Sequence, residues 1–273
     1  MGEARNKRRR FLEKHPFCCF CGGAEPSTSI DHIPARMCFV GRHYPEGFEF
    51  PACDFCQSAS RLDELAFAFY VRALDRNPNN FDGPATDKMI SGLANNLPHL
   101  LPNPFLDGRS KRTTLRNMGL SKPTNILASE LPVVEIDTEL HQRIGRYGRK
   151  IICALYYREQ GRIASPEHRV WANWGLYVDR NFMKASEGFI NMTPLITVGK
   201  RSNTDIGDQF IYRCNKCDDP DILAVIAGFG QGVVLQLFAA DSETSKKIEI
   251  LDETVNNPDF PLWTLVADNY AHR

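Results

Sequence analysis

The sequence predicts an α+β protein in two parts, a small zinc-stapled unit over residues 1–77 and a separate α+β domain over 131–273, joined by a helical, proline-rich connector over 78–130. Three observations predict this. Two mirrored C-x-x-C pairs, Cys18/Cys21 and Cys53/Cys56, stand close together near the start. Each C-x-x-C turn aims both sulfurs at one point, and four thiolates meet the tetrahedral demand of structural zinc. Next, Pro84, Pro98, Pro102, Pro104 and Pro123 punctuate the middle of the chain, where extended pattern is scarce. Beyond it, one long helical period gives way to alternating, strand-like segments.

Taken in order, residues 3–14 suit a helix whose apolar contacts come from Phe11 and Leu12. Gly22-Gly23 suits a tight turn after the first cysteine pair, and residues 28–30 read as a short strand that delivers Asp31 and His32 at its end. Gly41, Pro45 and Gly47 make 37–48 an irregular loop. From Asp54 the period becomes helical, with Leu62, Leu65, Ala66, Phe69, Val71 and Leu74 recurring before the stop at Asn77-Pro78. The connector holds a helical stretch over 86–96 and no chemistry. Val133-Val134-Glu135-Ile136 suggests a strand, after which Asp137-Thr138 caps a long helix with Ile144, Tyr147, Ile151, Ala154 and Leu155 on its core face. Arg143, Arg146 and Lys150 fall on another side, open to solvent, a partner or a phosphate backbone. Later strands are expected over 169–177, 209–213, 222–229, 233–238 and 248–251, with Gly228, Gly230 and Gly232 turning the chain between two of them.

Composition narrows the setting. With 273 residues and 42% hydrophobic content the chain can bury substantial cores. No apolar run approaches a membrane span, and Met1 to Arg10 is charged without the apolar centre of a signal peptide, so a cytoplasmic location is expected. In a reducing compartment nine cysteines favour metal binding over disulfides. Formal net charge is zero, which leaves nucleic-acid binding to local basic patches. Three exist: Arg5, Lys7, Arg8, Arg9, Arg10 and Lys14; then Arg109, Lys111, Arg112, Arg116 and Lys122; then Arg143, Arg146, Arg149 and Lys150.

The order of knuckle, Asp31-His32 on a strand, loop, second knuckle and helix resembles the zinc-stapled branch of the HNH (His-Me finger, ββα-metal) endonucleases. The resemblance covers about the first quarter of the chain. It implies phosphodiester hydrolysis, of DNA more than RNA, with His32 as general base and Asp31 as a ligand for catalytic Mg2+ or Mn2+. Just after the last cysteine the family places His or Asn; here Gln57 stands there and offers its carbonyl oxygen. The family's loop Asn has no clear match, Phe48 falling near its spacing with Glu49 the nearest oxygen donor. Asp63 and Glu64, further along the same helix, either compensate as ligands or are surface charges. Arg36, four residues after His32, either binds the scissile phosphate through its guanidinium or pairs with a nearby acid. His43 in the loop is the weaker candidate. A nuclease head on an unfamiliar second domain suits a bacterial or phage-related defence effector held by a regulatory partner or an oligomer. The alternative is a catalytically degenerate zinc module of HNH descent that binds nucleic acid or protein.

Cys214-x-x-Cys217 is either half of a further metal site or a reduced pair in a turn. Cys19 competes with its neighbours for zinc but lacks the mirrored spacing, and Cys38 and Cys153 are expected to be packing residues.

Overall fold

The structure is a computed structural model that describes residues 2–101, 107–120, 137–201, 203–252 and 263–264. The expected strand at 133–136 and Lys122 lie outside the described residues.

The first helix, α1 (Gly2–Lys14), leads into the cysteine knuckle and then into β1 (Ser29–His32). Gly22 and Gly23 both adopt positive φ, and a Cβ on Gly22 would lie 2.9 Å from the backbone nitrogen of Pro166, so the turn needs glycine for conformation and for space. The loop after β1 contains two short 3-10 turns and returns as β2 (Glu49–Ala52), antiparallel to β1 with His32 opposite Glu49. The next helical stretch is broken at Ser60 into α2 (Asp54–Ala59) and α3 (Arg61–Leu74). Strand, strand and helix thus follow one another as a ββα unit. The connector supplies α4 (Gly83–Asn96) and α5 (Gly108–Asn117).

The long helix is α6 (Thr138–Gln160), capped by the Asp137 carboxylate on the Glu139 amide. After it come β3 (Arg169–Leu176), α7 (Arg180–Ala185), α8 (Glu187–Met192), β4 (Leu195–Val198), β5 (Phe210–Asp218), β6 (Asp221–Phe229), β7 (Val233–Ala240), α9 (Ser242–Asp252) and β8 (Trp263–Thr264). The strands form one antiparallel six-stranded sheet in the order β4-β5-β6-β7-β3-β8. The stretch 248–251, expected as a strand, is the end of α9: Asp241 caps that helix at the Thr244 amide, and the start signal outweighs the short apolar run.

One core joins the two halves. Helix α6 lies between α3 and the sheet, with Ile144, Tyr147 and Ile151 fully buried. It approaches β3 so closely that a Cβ on Gly148 would lie 2.9 Å from the Ala172 Cβ. Aromatic rings continue the seam: Phe67 meets Phe229 edge-on with centroids 5.0 Å apart, and Phe48 meets Phe210 at 5.5 Å. Hydrogen bonds add to it, from the Val40 amide to Gln209, from Arg201 to the Tyr44 carbonyl and from Arg158 to the Gly47 carbonyl. The parts expected on either side of the connector therefore share one core among the described residues, because α6 packs on both α3 and the sheet; the expected boundary at 130 lies outside the described residues. No helix of the described residues is long and apolar enough to cross a membrane.

Candidate functional site

Cys18 and Cys21 come from the knuckle after α1, and Cys53 and Cys56 from the junction of β2 with α2. Their sulfurs all lie within 4.8 Å of one another, a cluster able to hold a metal ion such as zinc. Amide hydrogens of Phe20 and Cys56 point at the sulfurs of Cys18 and Cys53, each at 3.4 Å, which favours thiolate. The thiols share protons unequally: hydrogen bonds from Cys18 and Cys56 hold Cys21 far down, while Cys21 pushes Cys18 up to about 12. Cys19 is buried outside the cluster, as are Cys38 and Cys153. Cys214 and Cys217 lie on β5 and not in a turn. Three residues apart on a strand, they point to opposite faces, one buried and one exposed, so they cannot share an ion with each other.

Beside the cysteine cluster, the end of β1 sends Asp31 and His32 in opposite directions. His32 is 18% exposed at its side chain. Its Nε2 accepts from the Arg36 guanidinium at 2.7 Å and lies 3.8 Å from the Glu49 carboxylate. Tyr44 meets the ring edge-on at 4.3 Å and donates its hydroxyl hydrogen to Glu49. Arg36 and Arg201 lie against Tyr44, 4.6 and 5.1 Å from its ring centre. Lys7 of α1 reaches Glu49 at 4.0 Å. This face therefore carries three cations against one carboxylate. Burial, and then the charge of Arg36, lower the pKa of His32 from 6.5, so its imidazole is neutral at pH 7.

Asp31 faces the other way. Its Oδ1 accepts the His32 amide hydrogen, and its Oδ2 lies 2.6 Å from the Lys150 ammonium of α6. Lys150 also reaches Ser60 at 2.6 Å and Glu64 at 2.8 Å, and its Nζ lies 4.9 Å from the centre of the Phe20 ring. It is 8% exposed. Burial alone would lower its pKa, but Asp31 and Glu64 outweigh that and raise it. Glu64 is itself raised, by burial first and although Lys150 opposes this: two carboxylates share one ammonium.

Asp31, Gln57 and Glu64 do line one cavity of about 390 Å³, with Asp54, Ser58 and Arg61. His32 and Arg36 stand together on the opposite face. Asp63 is neither ligand nor surface charge. It is buried and takes Arg143 at 2.8 Å and Arg146 at 2.8 Å. Thus Arg143, Arg146 and Lys150, expected to face solvent, a partner or phosphate, instead pair α6 with the ββα unit. Buried acids on α3 and β1 demand those cations, and net-neutral composition hides the demand.

Among the described residues, the four cysteines are the one group of three or more His, Cys, Asp or Glu side chains close enough to share an ion. Lys150 is the residue of this site whose place the sequence pattern does not show. It follows Tyr147 by three and precedes Ala154 by four, which puts a charge on the apolar stripe; that was the available signal. Comparison of the chain with protein-family models, curated proteins and solved structures finds no match.

Proposed function

We propose that the chain is a zinc-stapled nuclease of HNH type that hydrolyses phosphodiester bonds, DNA in preference to RNA, with His32 as general base. The observation that carries this reading is the neutral His32 imidazole beside Arg36, presented by a β1–β2–α2 unit with four converging sulfurs at its base. Cys18, Cys21, Cys53 and Cys56 would hold zinc, whose contribution is to fix the finger.

The residues account for hydrolysis as follows. Arg36 leaves the imidazole and takes two non-bridging phosphate oxygens, a bidentate match for its guanidinium. That move frees the His32 Nε2 lone pair. As the water oxygen bonds to phosphorus, Nε2 accepts one water proton; the opposite P–O bond breaks and its electron pair leaves with the departing oxygen, which takes a proton from solvent. Arg201 and Lys7, beside the same face, add positive charge where the phosphate backbone would lie.

A catalytic Mg2+ or Mn2+ does not fit the donor set. Asp31 and Glu64 are both committed to Lys150, and Gln57 alone offers a weak neutral oxygen. A second reading is favoured by the same contacts: with Arg36 on His32 and Lys150 on Asp31, the finger would be a degenerate module that binds nucleic acid or protein without cutting it.

Cleavage of plasmid, linear DNA and RNA by the full chain separates the two. On the nuclease reading, His32→Ala lowers cleavage by roughly 10² to 10⁴ while zinc content and DNA affinity hold. Wild-type protein that binds DNA but cuts none of the three substrates would overturn it in favour of the binding module.

A further inference from the structure

We propose that the Lys150 ammonium is a resident cation that takes the place of an exchangeable divalent metal between Asp31 and Glu64. The inference rests on the nuclease reading for its catalytic meaning, but its structural content stands without it.

Three contacts carry it. An ammonium has three N–H donors, and Lys150 directs them to Asp31 Oδ2, Glu64 Oε1 and Ser60 Oγ at 2.6, 2.8 and 2.6 Å. Two carboxylates and a hydroxyl from β1, α3 and the α2–α3 break therefore converge on one positive charge, an all-oxygen donor set of the kind hard divalent cations take. The charge is also held in place. Lys150 projects from α6 one turn after the fully buried Tyr147 and next to the fully buried Ile151, and Tyr147 accepts the Ala35 amide at 2.8 Å. Releasing the ammonium would leave the buried Asp31 and the part-buried Glu64 without their shared cation. A free ion would have to displace a lysine that the fold itself positions.

With every donor satisfied and almost no exposure, Lys150 does not touch a phosphate. It is a positioning residue. It fixes Asp31, whose other oxygen holds the His32 amide and hence the end of β1 that presents the imidazole. The chemistry at His32 then draws its positive charge from Arg36 and its neighbours, and needs no added magnesium or manganese.

The test uses Mn2+ alone as the probe, with the full zinc-loaded chain and electron paramagnetic resonance of free manganese. Wild-type protein is expected to bind no stoichiometric Mn2+ at millimolar concentration. Lys150→Ala is expected to gain one site per chain, at least tenfold tighter than anything in wild type, and Asp31→Asn in the same background to abolish it. Zinc content and near-ultraviolet circular dichroism report whether each variant has kept its fold. A wild-type Mn2+ site that Asp31→Asn removes would overturn the proposal even if Lys150→Ala fails to fold; so would a folded Lys150→Ala that gains nothing. Cleavage, where the wild type cuts, is expected to persist in buffer freed of magnesium and manganese, and strict dependence on either ion would also overturn it. Absence of any cleavage counts against the nuclease reading, and the manganese measurement still decides this one.

Discussion

Burial pushes both His32 and Lys150 toward the neutral form, yet their net shifts are opposite because two carboxylates hold Lys150, and both make pH predictions. Desolvation first, and then Arg36, depress the His32 pKa, so the folded state favours the neutral ring. Its contribution to stability is present above the unfolded value near 6.5 and is lost as pH falls through the lower folded value. On the nuclease reading, the acid flank of a kcat/KM profile therefore lies below pH 6.5, and Arg36→Ala moves it upward by removing the adjacent positive charge; an unmoved flank would show that another group titrates. Lys150 has the reverse sign. Its raised folded pKa gives stability that is full below about pH 10.4 and declines as pH rises through the folded value. Tyr147→Phe tests the neighbouring hydroxyl. It leaves the Ala35 amide unpaired in the core, at a cost of about 1 to 3 kcal/mol in denaturant unfolding. Of these residues, the Asp31-His32 pair was legible as a local motif, but the metal-ligand role expected of Asp31 was not, because Lys150 takes its carboxylate. Lys150 was not, since its partner Asp31 lies 119 positions away and no local pattern encodes that pairing.

At the scale of elements, periodicity located α3, α6 and the strands β3, β5, β6 and β7, because each buries a repeating apolar face. It missed β4, whose four residues include exposed Leu195, Ile196 and Val198, and misread the end of α9, where a capping aspartate decides the structure. Helix α6 supplies a sharp test of packing. Gly148→Ala would gain about 1 kcal/mol of helix propensity, yet its methyl would meet the Ala172 methyl at 2.9 Å. Overpacking of about 1 to 3 kcal/mol outweighs that gain, so the variant is expected to be less stable in urea unfolding, and a stabilised protein would mean that α6 can slide from β3.

For the whole molecule, the sequence suggested separable halves from a change of pattern and a run of prolines. Prolines report local breaks in regular structure, whereas the shared core is made by residues far apart in the chain. Trp171, Trp174 and Trp263 all lie in the C-terminal half, so tryptophan fluorescence reads the sheet, while release of the zinc proposed at the four cysteines reads the N-terminal unit. A common core predicts that the two signals change together along a denaturant titration. Two resolved transitions, or a folded fragment 131–273 left by limited proteolysis, would restore the two-domain picture. Cys53→Ser is expected to abolish stoichiometric zinc by metal analysis and to lower the midpoint of the tryptophan signal too, although no tryptophan is near the finger in sequence.

The pairing of α6 with β1 and α3 through Lys150, Arg143 and Arg146 also bears on how the protein can be cut and recombined. A fragment ending at residue 77 keeps Asp31, Asp63 and Glu64 but loses Lys150, Arg143 and Arg146, and it keeps the Ala35 amide without the Tyr147 hydroxyl. Such a fragment would expose three acids in place of a neutral seam, with Asp31 and Glu64 newly free to capture ions. Its metal requirement and charge would then be products of the excision. Grafting the finger onto another scaffold calls for carrying α6 along, as a second, non-contiguous piece of the same module.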